Sequence, residues 1–277
     1  MSDWLPLSGI RVVDFSMFVP GPFASAILAD LGAEVIKVEP PKGDPGRAYV
    51  PVQFDTENRN KRGIALDLKT PAARAVVEKL VRSAQVVLEG FRPGVAQRLH
   101  IDFNSLRRIN PKLIYCSISG YGQTGPWRER PGHDVNYVAA AGGLAFTGQW
   151  LKAPVRSSLP IADMGGGTFA AIAILSALHE GKGAQLDLSL LEAAFFWAAM
   201  RHGLDPVPDP RAHIFPVNDV FETADGRRLT LGILEEHFWN NFVGLVPELD
   251  RPEFADDASR RRNGNMLSEK LAGVMKT

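Results

Sequence analysis

Short β-branched runs alternate with helical stretches three times over in the first 120 residues, and that rhythm leaves few folds open. Residues 10–15 (Ile-Arg-Val-Val-Asp-Phe) read as a strand. Residues 20–31 read as a helix with Phe23, Ile27, Leu28 and Leu31 on one face, stopped by Gly32 just past its end. Residues 34–39 make the next strand. The second round runs from a strand at 64–68, through a helix that Thr70 caps and Pro71 opens, to a strand at 86–88. The third passes through a helical stretch at 103–109 to a strand at 113–118. Strands separated by helices predict an α/β fold with a doubly wound, mainly parallel sheet.

Helices dominate the next stretch, at 135–144, 163–179 and 190–200. Asp205-Pro206-Val207-Pro208-Asp209-Pro210 is a stiff linker and the best domain boundary. The expectation is a large α/β domain over 1–204, then the linker and a smaller α+β domain over 205–277. In the smaller domain, two strand-like runs flank Asp225-Gly226, a hairpin signal, and helical stretches follow at about 235–246 and 265–276.

Lys+Arg and Asp+Glu number 31 each, so no global field favours nucleic acid or an anionic membrane, and an anionic ligand needs a local basic cluster. Cys116 is the only cysteine and lies in an apolar strand-like run, where a packed thiol is the default over a nucleophile. With no disulfide available, a reducing, cytoplasmic setting is expected. The first residues lack the pattern of a signal peptide, and the apolar run 169–178 is too short to span a bilayer, so it reads as a buried helix. Nicotinamide, ATP, serine-hydrolase and zinc chemistries lose ground: Gly-x-Gly-x-x-Gly, a Gly-Lys-Ser/Thr phosphate loop and Gly-x-Ser-x-Gly are all missing, and the histidines show no metal-ligand spacing.

Three clusters remain that could carry chemistry. Lys37, the run Arg59-Asn60-Lys61-Arg62, and Arg92 fall near the predicted carboxyl ends of strands, where open α/β sheets bind ligands, and they suit several phosphates as well as they suit a solvated surface. His133, in Gly132-His133-Asp134-Val135-Asn136-Tyr137, is either a structural histidine or a proton carrier. Asp163 stands at a predicted helix start, as an N-cap or as a functional carboxylate kept ionised by the helix field. Gly165, Gly166 and Gly167 follow it. Three glycines are costly in a helix, and close approach of a ligand to bare N–H groups, which would stabilise a thioester oxyanion, is one reason to keep them.

Taken together, several motifs resemble the family III CoA-transferases, and within them most of all the α-methylacyl-CoA racemases. They are Val19-Pro20-Gly21-Pro22, Gly32-Ala33-Glu34-Val35-Ile36-Lys37-Val38-Glu39, Asn58-Arg59-Asn60-Lys61-Arg62, Phe91-Arg92-Pro93-Gly94 and Gly120-Tyr121-Gly122-Gln123-Thr124-Gly125-Pro126. The resemblance runs from Leu7 to the end of the chain. It implies that the first domain binds the adenosine and phosphates of coenzyme A, with Lys37, Leu66, Lys69 and Arg92 on contacting positions. It also implies a homodimer, and no cofactor beyond the coenzyme A of the substrate.

In the racemases an aspartate matched by Asp163 and a histidine matched by His133 exchange the α-proton. A third carboxylate matches Glu235, or Glu236 if the register slips by one. In the transferases the same aspartate forms an acyl anhydride and then a CoA thioester. Family members continue beyond the point where this chain stops. The resemblance therefore implies an acyl-CoA racemase first, a CoA-transferase second, and a CoA-binding short form without turnover third.

Overall fold

A computed structural model of the chain describes residues 4–150, 152–202 and 215–277. The chain divides into two compact units, one formed by Met1–Gly143 and Ser158–Ala198, the other by Leu144–Ser157 and Ala199–Thr277. The boundary expected at 205–210 lies outside the described residues.

The first unit is built in the order β1 (Arg11–Asp14), α1 (Pro20–Asp30), β2 (Glu34–Glu39), α2 (Gly46–Tyr49), α3 (Pro51–Asn58), β3 (Lys61–Ala65), α4 (Pro71–Arg82), β4 (Val86–Glu89), α5 (Val95–Arg98), α6 (Phe103–Arg107), β5 (Ile114–Ser119), α7 (Asp134–Ala140), α8 (Ile161–Glu180), β6 (Ala184–Ser189) and α9 (Leu190–His202). Its six strands are all parallel, in the order β3-β2-β1-β4-β5-β6. This is the doubly wound arrangement. The chain winds outward from β1 to β3, then restarts at β4 and winds the other way, so the connections leaving β1 and β4 diverge and open a crevice between them. The two strands remain bonded up to that point, the Phe15 N–H donating to Leu88 O at 2.8 Å.

β4 and β5 are buried along their whole length, which accounts for their unbroken apolar runs. On one face Val13, Phe15, Val77, Val81, Leu106 and Tyr115 form a common core. Thr70 caps α4, its hydroxyl accepting from the Ala73 N–H at 3.2 Å, and Gly32 past the end of α1 takes φ +99°. At 20 residues and mean hydropathy 1.6, α8 is long and apolar enough to cross a membrane, yet it is packed within the unit against α1, α7, β5 and β6.

Two elements differ from the sequence expectation. β3 begins at Lys61 rather than 64, because the Lys61 ammonium turns inward and lets a polar start pair with β2, Lys61 opposite Val35 and Arg62 opposite Ile36. β6 is an additional strand. Its alternation of Ala, Gln, Leu, Asp and Leu suits a sheet edge, with Gln185 and Asp187 exposed and Ser189 buried at its end.

The second unit holds an antiparallel hairpin, β7 (Val220–Glu222) and β8 (Arg228–Thr230), turning through Gly226 at φ +77°. Three helices follow, α10 (Glu236–Leu245), α11 (Asp257–Arg262) and α12 (Gly264–Val274), around a core of Trp239, Phe254, Leu267 and Leu271. The stretch 144–157 joins this unit through bonds from Gln149 Nε2 to Val220 O (2.7 Å) and from the Trp150 N–H to Asp219 Oδ2 (2.8 Å).

Candidate active site

The crevice between β1 and β4 rests on a buried set of charges. Asp14, at the end of β1, accepts from the Ser16 N–H at 2.8 Å and from the hydroxyls of Ser16 and Ser25. Lys61 lies 3.5 Å from Asp14 and donates to Pro22 O (2.8 Å) and Asn58 Oδ1 (3.0 Å). Lys37 donates to Ser16 O (2.9 Å) and pairs with Asp44 at the same distance. Burial pushes the Asp14 carboxyl up, but Lys61, Lys37 and the two hydroxyls outweigh it and hold the group below its ordinary value. Burial also drops Lys61 to about 8. These ions fix the turn that carries Val19-Pro20-Gly21-Pro22 into α1. Phe18, at the lip of that turn, takes φ +63° and is 56% exposed.

The first turn of α1 abuts α8. A Cβ on Gly167 would lie 2.6 Å from Pro20 O and 3.4 Å from Ala24 N. On Gly166 it would meet Leu190, and on Gly165 the Trp197 indole. The three glycines thus let α8 pack closely on two sides, Gly167 against α1 and Gly165 and Gly166 against α9. They are interior to the helix, and their N–H groups bond back to carbonyls one turn earlier. The oxyanion role expected for them is corrected: size, not ligand access, accounts for glycine there.

Two residues before the first of them stands Asp163, third residue of α8 and not its N-cap, which is Pro160. The free N–H groups of this turn are taken by a side chain that sequence reasoning passed over. Asp134 Oδ1 accepts from the Ala162 N–H at 2.6 Å and the Asp163 N–H at 3.3 Å. Asp134 opens α7 directly after His133, so one carboxylate joins the starts of the two helices that bear His133 and Asp163. Burial, then the charges of Asp134 and Glu57, push Asp163 up to about 7. The expectation that the helix field keeps it fully ionised is corrected: burial and like charge outweigh the dipole here.

His133 is the exposed N-cap of α7, its N–H donating to Asn136 Oδ1 at 3.0 Å. Tyr137 closes the same turn, bonding Gly132 O at 2.6 Å and packing edge-on against Tyr121. Burial pushes its phenol up to about 12; the charge of Asp163 adds to this and that of Arg92 opposes it.

The proposed coenzyme A contacts separate into groups. Arg92 is exposed just beyond β4, at the carboxyl end of the sheet, and lines a cavity of about 350 Å³ with Glu89, Arg98, Tyr115, Gln123 and Arg128. Arg59 and Arg62 do not join it. They precede or open β3, at the amino end of the sheet, where Arg59 pairs with Asp30 and Arg62 with Glu34 at 2.9 Å. The expected cluster of cations at strand carboxyl ends is therefore corrected for this run. Lys37 is enclosed, with 2% of its side chain exposed, and is spent on Asp44 and Ser16. Leu66 packs against the core beside Ile64 and Leu68, and Lys69 is exposed before α4. Glu235 stands in the second unit as the exposed N-cap of α10, while its neighbour Glu236 pairs with Arg260. Cys116 is fully buried, its thiol pushed up by burial and by Glu89.

The family model for CoA-transferase family III matches residues 7–277. The chain belongs to that family. Among proteins similar to it, succinate–glutarate CoA-transferase of Agrobacterium fabrum is 38% identical over 80% of this chain and 62% of its own length. Human alpha-methylacyl-CoA racemase is 35% identical over 86% of this chain and 64% of its own length. The crystal structure of a CAIB/BAIF family protein from Brucella suis superposes with TM-score 0.84 at 31% identity, covering 98% of this chain and 78% of that one. The chain thus spans about two thirds of the length of these curated relatives, and family III holds both transferases and racemases.

Proposed function

We propose that the chain binds an acyl-CoA in the crevice beyond β1 and β4 and moves the α-proton of its acyl group, as a racemase or epimerase. The observation that carries this reading is Asp163: a partly buried carboxylate, raised to about 7, on the helix start that Asp134 ties to the His133 turn. A thioester carbonyl acidifies the neighbouring carbon. One base takes that proton, the C–H electron pair enters the enolate, and an acid on the opposite face returns a proton to carbon. A base matched to neutral pH is the efficient one, and His133, the exposed N-cap of α7, supplies the partner that carries a proton to and from the other face. Glu235 is the third carboxylate in this reading, on the family match alone. Arg92, exposed at the crevice, takes coenzyme A phosphate. No metal or redox cofactor is called for.

The second reading is CoA transfer, with Asp163 as nucleophile and His133 lining the pocket. It is supported by the transferases among the relatives. The two readings part in one experiment: α-proton exchange in D₂O with each enantiomer of a 2-methylacyl-CoA, beside CoA exchange between two acids. The racemase takes up solvent deuterium without a second acid, and His133→Ala and Asp163→Ala lose interconversion with complementary single-face defects. CoA exchange that survives His133→Ala, with no deuterium uptake by the wild type, assigns a transferase instead. Absence of both activities despite coenzyme A binding would leave the non-catalytic short form.

A cytoplasmic setting and a homodimer complete the proposal. The exposed Ile172 on α8 and Phe196 and Trp197 on α9 offer apolar area for a second copy. Sedimentation showing only monomer at micromolar protein sinks the dimer.

A further inference from the structure

The backbone at His133 is held by side chains and amides of the helix that it caps. Its N–H donates to Asn136 Oδ1 at 3.0 Å, and its carbonyl accepts from the Asn136 N–H at 2.8 Å and the Tyr137 N–H at 3.3 Å. The carbonyl before it, Gly132 O, accepts from the Tyr137 hydroxyl at 2.6 Å. A helix start makes use of the first three of these bonds. It does not need the fourth, which reaches past the cap to the residue before it. With that bond the peptide group joining Gly132 to His133 is fixed at both its oxygen and its N–H, so the imidazole leaves the backbone in a set direction.

The loop between β5 and α7 is built to keep that hydroxyl in place. Tyr137 is 6% exposed. Its ring stands edge-on to Tyr121 with centroids 5.2 Å apart, and Tyr121 stands edge-on to Trp127 at 5.6 Å. The guanidinium of Arg130 lies 4.6 Å from the Trp127 ring. Gly120 and Gly132 both lie against the phenol: a Cβ on Gly120 would fall 2.5 Å from Tyr137 Oη, and one on Gly132 would fall 2.7 Å from Tyr137 Cε1. Neither glycine takes a positive φ. What they supply is room for this one side chain.

We propose that Tyr137 is a positioning residue for His133: its hydroxyl, held by the aromatic cluster, fixes the carbonyl before His133 and so aims the imidazole at the substrate. A proton carrier has to sit within hydrogen-bond reach of the carbon-bound proton that it takes, and a small displacement of its Cα is costly. This rests on His133 carrying the proton of one face, and the two measurements below separate the ideas.

Tyr137→Phe removes the hydroxyl and keeps the ring in its cluster. Tyr121→Phe, its control, takes a hydroxyl from the same cluster and leaves the bond to Gly132 O. Deuterium uptake from D₂O is followed in the full chain for each enantiomer of a 2-methylacyl-CoA, and His133→Ala marks the enantiomer whose proton His133 takes. For that enantiomer Tyr137→Phe should lose about ten- to a hundredfold in kcat with KM unchanged. Uptake from the other enantiomer, on the Asp163 face, should stay near the wild-type rate, as should both rates in Tyr121→Phe. Equal losses on both faces, which a merely structural role produces, overturn the proposal. So do wild-type rates on both faces, or a Tyr121→Phe protein that loses as much as Tyr137→Phe.

The second readout needs no turnover. Amide hydrogen exchange over residues 130–136, followed by peptide mass spectrometry, should run about fivefold faster in Tyr137→Phe than in wild type, the weight of one hydrogen bond. Tyr121→Phe should match the wild type. Unchanged exchange in Tyr137→Phe overturns the proposal whatever the activity. Faster exchange there, in a protein whose wild type takes up no deuterium, keeps Tyr137 as the residue that holds His133 while the racemase reading fails.

Discussion

Asp163 is the residue on which most depends, and its environment predicts its behaviour. A carboxyl at about 7 works as a base only when ionised, so activity should fall as pH drops below 7 and be near its plateau by pH 8. Asp163→Asn should cost about 10²- to 10⁴-fold in kcat with little change in coenzyme A affinity, read by steady-state kinetics and calorimetry. Beneath the site, Lys61 and Asp14 face a different demand. Lys61→Met would leave Asp14 buried with one cation fewer, at a cost of about 3–5 kcal/mol, seen as a lower denaturant midpoint. The sequence singles out His133 and Asp163 because they stand in distinctive motifs. Asp134 was not legible in the same way. Its importance comes from what folding places beside it, the open start of α8, and that leaves no local pattern.

Among the elements, α8 and α1 make the closest approach. Gly167→Ala would press a methyl group into the Pro20 carbonyl and the Ala24 backbone, which cannot swing aside, and should destabilise the fold by about 1–3 kcal/mol. Gly165→Ala meets the half-exposed Trp197 side chain, which can move, so its cost should be the smaller of the two in thermal melts. The strand–helix rhythm made β1, α1, β2, α4, β4 and β5 readable because each buries a continuous apolar run or a single apolar face. β3 slipped by three residues because its start is charged, and its true register is set by where Lys61 points. β6 escaped notice because only one of its faces is apolar and two long helices flank it. The glycine triplet was read for its N–H groups, when the missing side chains were what mattered; sequence alone does not tell which neighbour demands a glycine.

For the molecule as a whole, three carboxyls with raised values among the described residues bear on the slope of stability against pH. Glu57, Glu89 and Asp163 each stand at about 7, against ordinary values of 4.5, 4.5 and 3.8. Between those limits the folded chain binds more protons than the unfolded one, so stability should fall as pH rises from about 4 to about 7 and then level off. Asp14, Glu34 and Glu39, held low, act in the opposite sense: the stability they add is present above their ordinary values and lost in acid. Glu89→Gln should flatten part of the slope and raise the melting temperature at pH 8 more than at pH 5.

The burial of Lys61 has one more consequence. Thioesters acylate free amines without any catalyst, and an amine with a value of about 8 is a far better nucleophile than an ordinary lysine. A protein that holds acyl-CoA at its surface is exposed to damage by its own ligand, and Lys61 would be the first target if it could be reached. With 2% of its side chain exposed, it is shielded. Prolonged incubation with acetyl-CoA, followed by peptide mass spectrometry, should find acetyl groups on exposed lysines such as Lys69 and Lys182 while Lys61 stays unmodified until the fold is opened with denaturant.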